Sequence, residues 1–169
     1  MPKDFSWFGV RRVILNDLPD IYTIDSTSIV SNFSVDSMLE RIVEHNDKCF
    51  VAIENSTNKL IGYITGSTNT KYTKSFPGYV YLSRFAVKND YRRRGVGTAL
   101  LVVLENHLLM EGGYLGAVGD VRRSNIPSLT FFDQNGYEHS VKLSREEGYE
   151  FGETKEDRYK VVMYKIFPR

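Results

Sequence analysis

The sequence predicts an α/β protein with a mixed sheet, organised as a single domain over residues 1–169. Two observations carry this. Apolar runs of strand length alternate with helical stretches in the order β-α-α-β-β-β-α-β-α-β-β, a mixture of hairpins and crossovers. A glycine-bearing loop, Arg92 to Thr98, joins one extended run to the longest apolar helix.

Phe8 to Ile14 reads as the first strand. Asn16 or Asp17 can cap a helix carrying Leu18, Ile21, Ile24 and Asp25, because a short polar side chain satisfies an N–H that the first helical turn leaves open. Ser34 can cap a second helix, with Val35, Met38, Leu39, Ile42 and Val43 at helical spacing. Phe50 to Glu54 and Leu60 to Thr68 form a hairpin around Asn55-Ser56-Thr57-Asn58. Val80 to Val87 is the next strand. Gly97 to Met110 is a broadly apolar, buried helix ended by Gly112-Gly113. Tyr114 to Val121 is extended, and Pro127 to Asn135 is helical with Asn125 near its start. Tyr137 to Leu143 and Tyr159 to Phe167 are the last strands, joined by a long hairpin loop.

The loop Arg92-Arg93-Arg94-Gly95-Val96-Gly97-Thr98 points to an anion. Two glycines let the backbone approach a ligand closely. A loop turning into a helix presents unpaired N–H groups and the positive end of the helix dipole. Phosphate or pyrophosphate is the natural occupant. A Walker loop needs a Lys that Val96-Gly97-Thr98 lacks. A dinucleotide fingerprint needs its first glycine at the strand end, whereas Lys88 to Arg94 intervene here. An exposed basic turn is the bland alternative.

Composition sets the bounds. A net charge of +1, from 22 basic and 21 acidic residues, leaves no wide basic face for nucleic acid and no pull toward anionic membranes. The apolar segments fall short of the roughly 18 residues that a membrane span needs. Met1-Pro2-Lys3-Asp4 does not open a signal peptide. The single cysteine, Cys49, excludes an internal disulfide, reads as a small core residue and fits a cytoplasmic location. His45, His107 and His139 show no metal-ligand spacing, so no metal is expected.

The element order and the Arg92, Gly95, Gly97 pattern resemble the GCN5-related N-acetyltransferase (GNAT) superfamily. Particular segments are similar to its protein N-terminal acetyltransferases, of the ribosomal-protein alanine type and the arrest-defective type. These are Phe85-Ala86-Val87-Lys88 before Tyr91 to Gly97, then Asp120-Val121-Arg122-Arg123-Ser124-Asn125, then Phe131 to Tyr137, and Glu156-Asp157 ahead of Val161-Val162-Met163. The resemblance implies a mostly antiparallel sheet with splayed central strands and helices on both faces. It implies acetyl-coenzyme A as cofactor and direct attack of an amine on the thioester in a ternary complex.

By the same resemblance, the backbone of Arg93, Arg94, Gly95, Val96, Gly97 and Thr98 would hold the pyrophosphate, and Arg92 to Arg94 would neutralise its charge. Phe85 and Val87, either side of Ala86, would pair with the pantetheine arm. The Phe85 N–H would meet the charge growing on the thioester oxygen. Asn125 would bond the pantetheine amide, a role compatible with capping a helix. Two positions carry the base: Asp120, the better by charge, and Tyr81, more suited to orienting a water or the amine. The bland readings are a surface carboxylate and a plain strand aromatic. The family's thiolate acid, a tyrosine, is matched by Phe132, which has no proton to give. A thiol pKa of roughly 8.5 makes unassisted departure tolerable.

The acceptor expected is a protein or peptide N-terminus, and the resemblance leaves room for a homodimer or an auxiliary subunit. An α-amine of pKa about 7.8 is roughly one-seventh neutral at pH 7, against about one in a few thousand for lysine. Phe33 falls where relatives contact the substrate, and Tyr149 matches a tyrosine lining the amine entrance. The loop from Arg145 to Asp157 holds six acidic residues against two basic, which would attract a cationic amine. Lysine side chains, a polyamine-like small molecule and a non-catalytic coenzyme A sensor remain as alternatives.

Overall fold

The structure, a computed structural model, describes residues 6–28, 34–44, 48–68, 76–140 and 160–168. The fold is α/β, with seven strands and four α-helices among the described residues. These fall into two compact units: Met1–Ser67 with Ser83–Glu111, and Thr68–Leu82 with Gly112–Arg169.

In the first unit, β1 (Phe8–Arg12), β2 (Cys49–Glu54) and β3 (Leu60–Ser67) form an antiparallel meander. The C-terminal half of β4 (Tyr79–Val87) follows β3 in the strand order. Side-chain alternation along β2 explains how both faces are covered. Cys49 and Val51 join Ile21 and Ile24 of α1 (Leu18–Ser28) and Ile42 of α2 (Val35–Glu44) in one buried cluster. Phe50, on the opposite face, meets His107 of α3 (Val96–Glu111) ring to ring at 5.6 Å. Helix α3 buries Val96, Leu100, Leu101, Leu104 and Leu108.

In the second unit, the N-terminal half of β4 pairs in parallel with β5 (Gly116–Arg122) from Tyr79↔Gly116 to Tyr81↔Val118. Strand β7 (Lys160–Ile166) then pairs antiparallel with the whole of β5 and, on its other side, with β6 (Glu138–Ser140). Helix α4 spans Ile126–Gln134. Phe76, Tyr81, Val118 and Val162 form this unit's buried cluster.

Some boundaries differ from expectation, each for a local reason. Strand β1 stops at Arg12: the Val13 N–H still reaches Cys49 O at 3.0 Å, but Ile14 and Leu15 then turn outward and are exposed. Neither Asn16 nor Asp17 is the cap of α1. Asp17 lies in a 3-10 turn (Leu15–Asp17), where its carboxylate accepts the Ile14 N–H at 2.8 Å and a bidentate pair from Arg11 at 2.7 and 2.8 Å. The apolar face of α3 is narrower than its sequence suggests, since Val102, Leu109 and Met110 are exposed. Strand β5 begins at Gly116 rather than Tyr114, because the Leu115 N–H bonds Gly78 O and its carbonyl accepts from Phe167. The end of the predicted strand to Leu143 lies outside the described residues.

Candidate active site

The first unit carries the glycine-bearing loop. After β4 the Lys88 N–H bonds Ile61 O at 2.9 Å, and a 3-10 turn follows at Asn89–Tyr91. Arg92 curls back, its Nε donating to Val87 O at 3.0 Å. Two left-handed residues then reverse the chain: Arg93 at φ 58° and Gly95 at φ 89°. Glycine adopts that conformation freely, whereas at Arg93 it costs about 1 kcal/mol or more. The first bond of α3 runs from Ala99 N–H to Gly95 O. The Val96, Gly97 and Thr98 amides precede it and so lack a helical carbonyl, which leaves them for an anion. Gly95 and Val96 are buried, while the side chains of Arg92, Arg93 and Arg94 are exposed. Ala86 is buried in the core, with Phe85 and Val87 half-buried beside it.

Arg94 is turned to an aromatic surface. Its guanidinium carbon lies 4.1 Å from the Trp7 ring centroid and 5.4 Å from that of Tyr91. The Tyr91 hydroxyl donates to Glu54 at 3.2 Å. Elsewhere in this unit Asp25 of α1, buried, accepts the Tyr63 hydroxyl and pairs with Arg84 Nη2 at 3.5 Å. Burial, and then the bond to Asp25, pushes the Tyr63 phenol far above its ordinary range.

The second unit brings the two predicted base candidates together. Tyr81 stands opposite Val118, so Asp120, two residues further along β5, shares its face. The Tyr81 hydroxyl donates to Asp120 Oδ1. Asp120 in turn stands opposite Val162, which places Lys160 on the same face, and Lys160 Nζ lies 2.8 Å from Asp120 Oδ2. The Asp120 side chain is 8% exposed, so it is not an ordinary surface carboxylate. Tyr81 is likewise more than a strand aromatic. A carboxylate held by one neutral and one cationic donor is fixed in position, and its remaining lone pairs can accept a further hydrogen bond.

Asn125 caps α4: its Oδ1 accepts the Ser128 N–H at 3.2 Å, leaving the side-chain NH2 as its donor group. Phe132 is buried edge-on between Phe131, 5.4 Å away, and Tyr137, 5.1 Å away. Phe33, Tyr149 and the Arg145 to Asp157 loop lie outside the described residues.

Sequence reasoning missed Lys160 and Trp7. An alternation of Lys160, Val162 and Tyr164 was the available signal for the first, but only the β5–β7 register sets it beside Asp120. Trp7 precedes the first strand, far in sequence from Arg94.

Residues 15–137 match the family model described as the Acetyltransferase (GNAT) family. An uncharacterized N-acetyltransferase of Methanocaldococcus jannaschii is 33% identical over 144 residues, covering 85% of each chain. An N-alpha-acetyltransferase of Saccharolobus solfataricus is 28% identical over 136 residues, covering 75% of this chain and 78% of the relative. The crystal structure of Ard1 from Thermoplasma volcanium superimposes with a TM-score of 0.78 at 20% identity, over 96% of this chain and 99% of the other.

Proposed function

We propose an acceptor on one premise: this chain belongs to the acetyltransferase (GNAT) family and is an N-acetyltransferase that uses acetyl-coenzyme A. The acceptor is the N-terminal α-amine of a protein or peptide. The observation that carries the reading is Asp120 held by Tyr81 and Lys160. The name of the Saccharolobus relative, an N-alpha-acetyltransferase, supports it.

In this reading the amides of residues 93–98 bind the pyrophosphate, and those of Phe85 and Val87 hold the pantetheine arm. The nitrogen lone pair of a neutral amine attacks the thioester carbon. Charge gathers on the carbonyl oxygen and meets the Phe85 N–H. Asp120, through a water oriented by Tyr81, takes the proton that the new amide nitrogen sheds. The C–S bond then breaks, and the thiolate leaves to be protonated by water, since Phe132 has no proton to offer. A site with one modest base suits an α-amine, which is already partly neutral, better than a lysine.

Three further parts belong to this proposal. Residues 1–169 work as one catalytic domain. Phe33, Tyr149 and the acidic hairpin loop line the acceptor's approach, with a second copy or an auxiliary subunit as the candidate assembly. The protein acts in the cytoplasm, in keeping with a single, buried cysteine, Cys49, which can form no internal disulfide. No helix among the described residues is long and apolar enough to cross a membrane.

Thiol release from acetyl-coenzyme A tests the acceptor. Peptides with free N-termini and no lysine should support release, and peptides with blocked N-termini and one lysine should not. Release with the second set alone would move the assignment to lysine. Silence with both would move it to a small-molecule acceptor or a coenzyme sensor.

A further inference from the structure

We infer that Trp7 is a positioning residue for the coenzyme loop, acting through Arg94. Trp7 lies outside residues 15–137, the stretch that matches the family model. The inference rests on the reading of residues 92–98 as the loop that binds pyrophosphate.

Three observations converge on Trp7. Its backbone is fixed: the carbonyl accepts the Asn55 N–H at 3.0 Å, the Asn55 side chain donates to Ser6 O at 2.7 Å, and Phe8 next door pairs with Glu54 in β1–β2. Its ring is fixed as well, meeting Phe8 edge-on at 4.6 Å and lying within 18° of parallel to Tyr91 at 6.1 Å. Tyr91 is itself tied to Glu54. Against this wall lies the Arg94 guanidinium, 4.1 Å from the Trp7 centroid, within the range of a cation–π contact.

Arg94 sits between the two left-handed residues of the loop, Arg93 and Gly95. Without a contact at that point, nothing in the local sequence would favour a left-handed arginine over an ordinary turn. Arg92 is anchored on Val87 O, and Arg94 on Trp7. The two flanking arginines therefore hold the loop's shape, and the loop's amides and Arg93 face the phosphates. Anchors of this kind preform the curled backbone, which lowers the ordering cost of binding.

Acetyl-pantetheine, which carries the thioester but no pyrophosphate, separates loop positioning from general damage. With Trp7→Leu, KM for acetyl-coenzyme A should rise about three- to tenfold, kcat should change little, and kcat/KM with acetyl-pantetheine should stay at the wild-type level. Equal losses with both donors, or no change with either, would overturn the inference. Arg94→Gln provides a second route. In a double-mutant cycle on KM for acetyl-coenzyme A, Trp7→Leu should add little once Arg94 is gone, and additive effects would show that the two act independently. Should Trp7→Leu not fold, Arg94→Gln must shift the emission of Trp7, the chain's one tryptophan, together with the loss of coenzyme affinity. Affinity lost with unchanged emission would make Arg94 a direct phosphate ligand and overturn the proposal. A wild-type enzyme with no preference for acetyl-coenzyme A over acetyl-pantetheine would instead count against the loop reading itself.

Discussion

The Tyr81 hydroxyl donates to Asp120 Oδ1 across the parallel β4–β5 ladder, and the other oxygen of that carboxylate meets Lys160 at 2.8 Å. Both donors reach Asp120 because Tyr81, Val118, Asp120, Val162 and Lys160 share one face of three consecutive strands. As the proposed proton acceptor, Asp120 should be far more sensitive to substitution than Tyr81. Asp120→Asn is expected to lower kcat about 100-fold with coenzyme affinity unchanged by calorimetry. Tyr81→Phe, which removes only an orienting bond, should cost about tenfold or less. Wild-type turnover in Asp120→Asn would remove the residue from the mechanism.

The same variant removes the carboxylate that meets Lys160, and a half-buried cation that loses a charged partner destabilises the fold. The double variant Asp120→Asn/Lys160→Met should therefore melt higher than Asp120→Asn alone, while turnover stays low. Recovery of both stability and turnover would show that the single variant fails through packing and not through loss of a base.

Gly97→Glu places a carboxylate in the first turn of α3, among the amides proposed to hold the pyrophosphate. Like-charge repulsion and bulk should abolish coenzyme binding, leaving the circular dichroism spectrum intact. Unchanged affinity by calorimetry would sink the phosphate-loop assignment.

Tyr63 gives a prediction in alkali. Its folded-state pKa is raised above the unfolded value of about 10, chiefly by burial and then by its bond to Asp25, with Arg84 acting weakly the other way. The unfolded chain thus releases this proton at a pH where the folded chain keeps it. Stability is fully present below about pH 10 and falls above it, by up to about 1.4 kcal/mol per pH unit from this one group. Tyr63→Phe should lose stability at neutral pH, where Asp25 loses a donor, yet show a shallower alkaline limb in denaturant titrations. Parallel limbs for the two proteins would contradict this.

Gly116 is a test of packing in the second unit. A Cβ there would run into Lys165 O and lie 2.7 Å from the Tyr79 ring. Since the first of these is backbone of the paired strand β7, it cannot swing aside. Gly116→Ala should cost about 3 kcal/mol or more and lower the melting temperature by roughly 6 °C or more. A melting temperature equal to wild type would contradict the β5–β7 register.

What could be read from the sequence was what depends on neighbours in the chain. Arg92 to Thr98 announces its turn because glycine at Gly95 permits a left-handed residue beside a helix start, and φ 89° is what the structure has there. Asn125 reads as a cap and is one, since its partner Ser128 lies three residues on. Asp25 was visible only as a carboxylate on an apolar helix face. Its partners Tyr63 and Arg84 come from two strands, 38 and more residues away. Lys160 was hidden for the same reason, because only the pairing of β7 with β5 brings it to Asp120. Asp17 misled by resembling a cap, when its carboxylate reaches back to Ile14 and Arg11.

The most direct test offers one peptide carrying both amines, a free N-terminus and an internal lysine, with acetyl-coenzyme A as donor. Fragment-ion mass spectrometry then locates the acetyl group. The reading proposed for this enzyme predicts acetyl on the first residue and an unmodified lysine; acetyl on the lysine with a free N-terminus would contradict it.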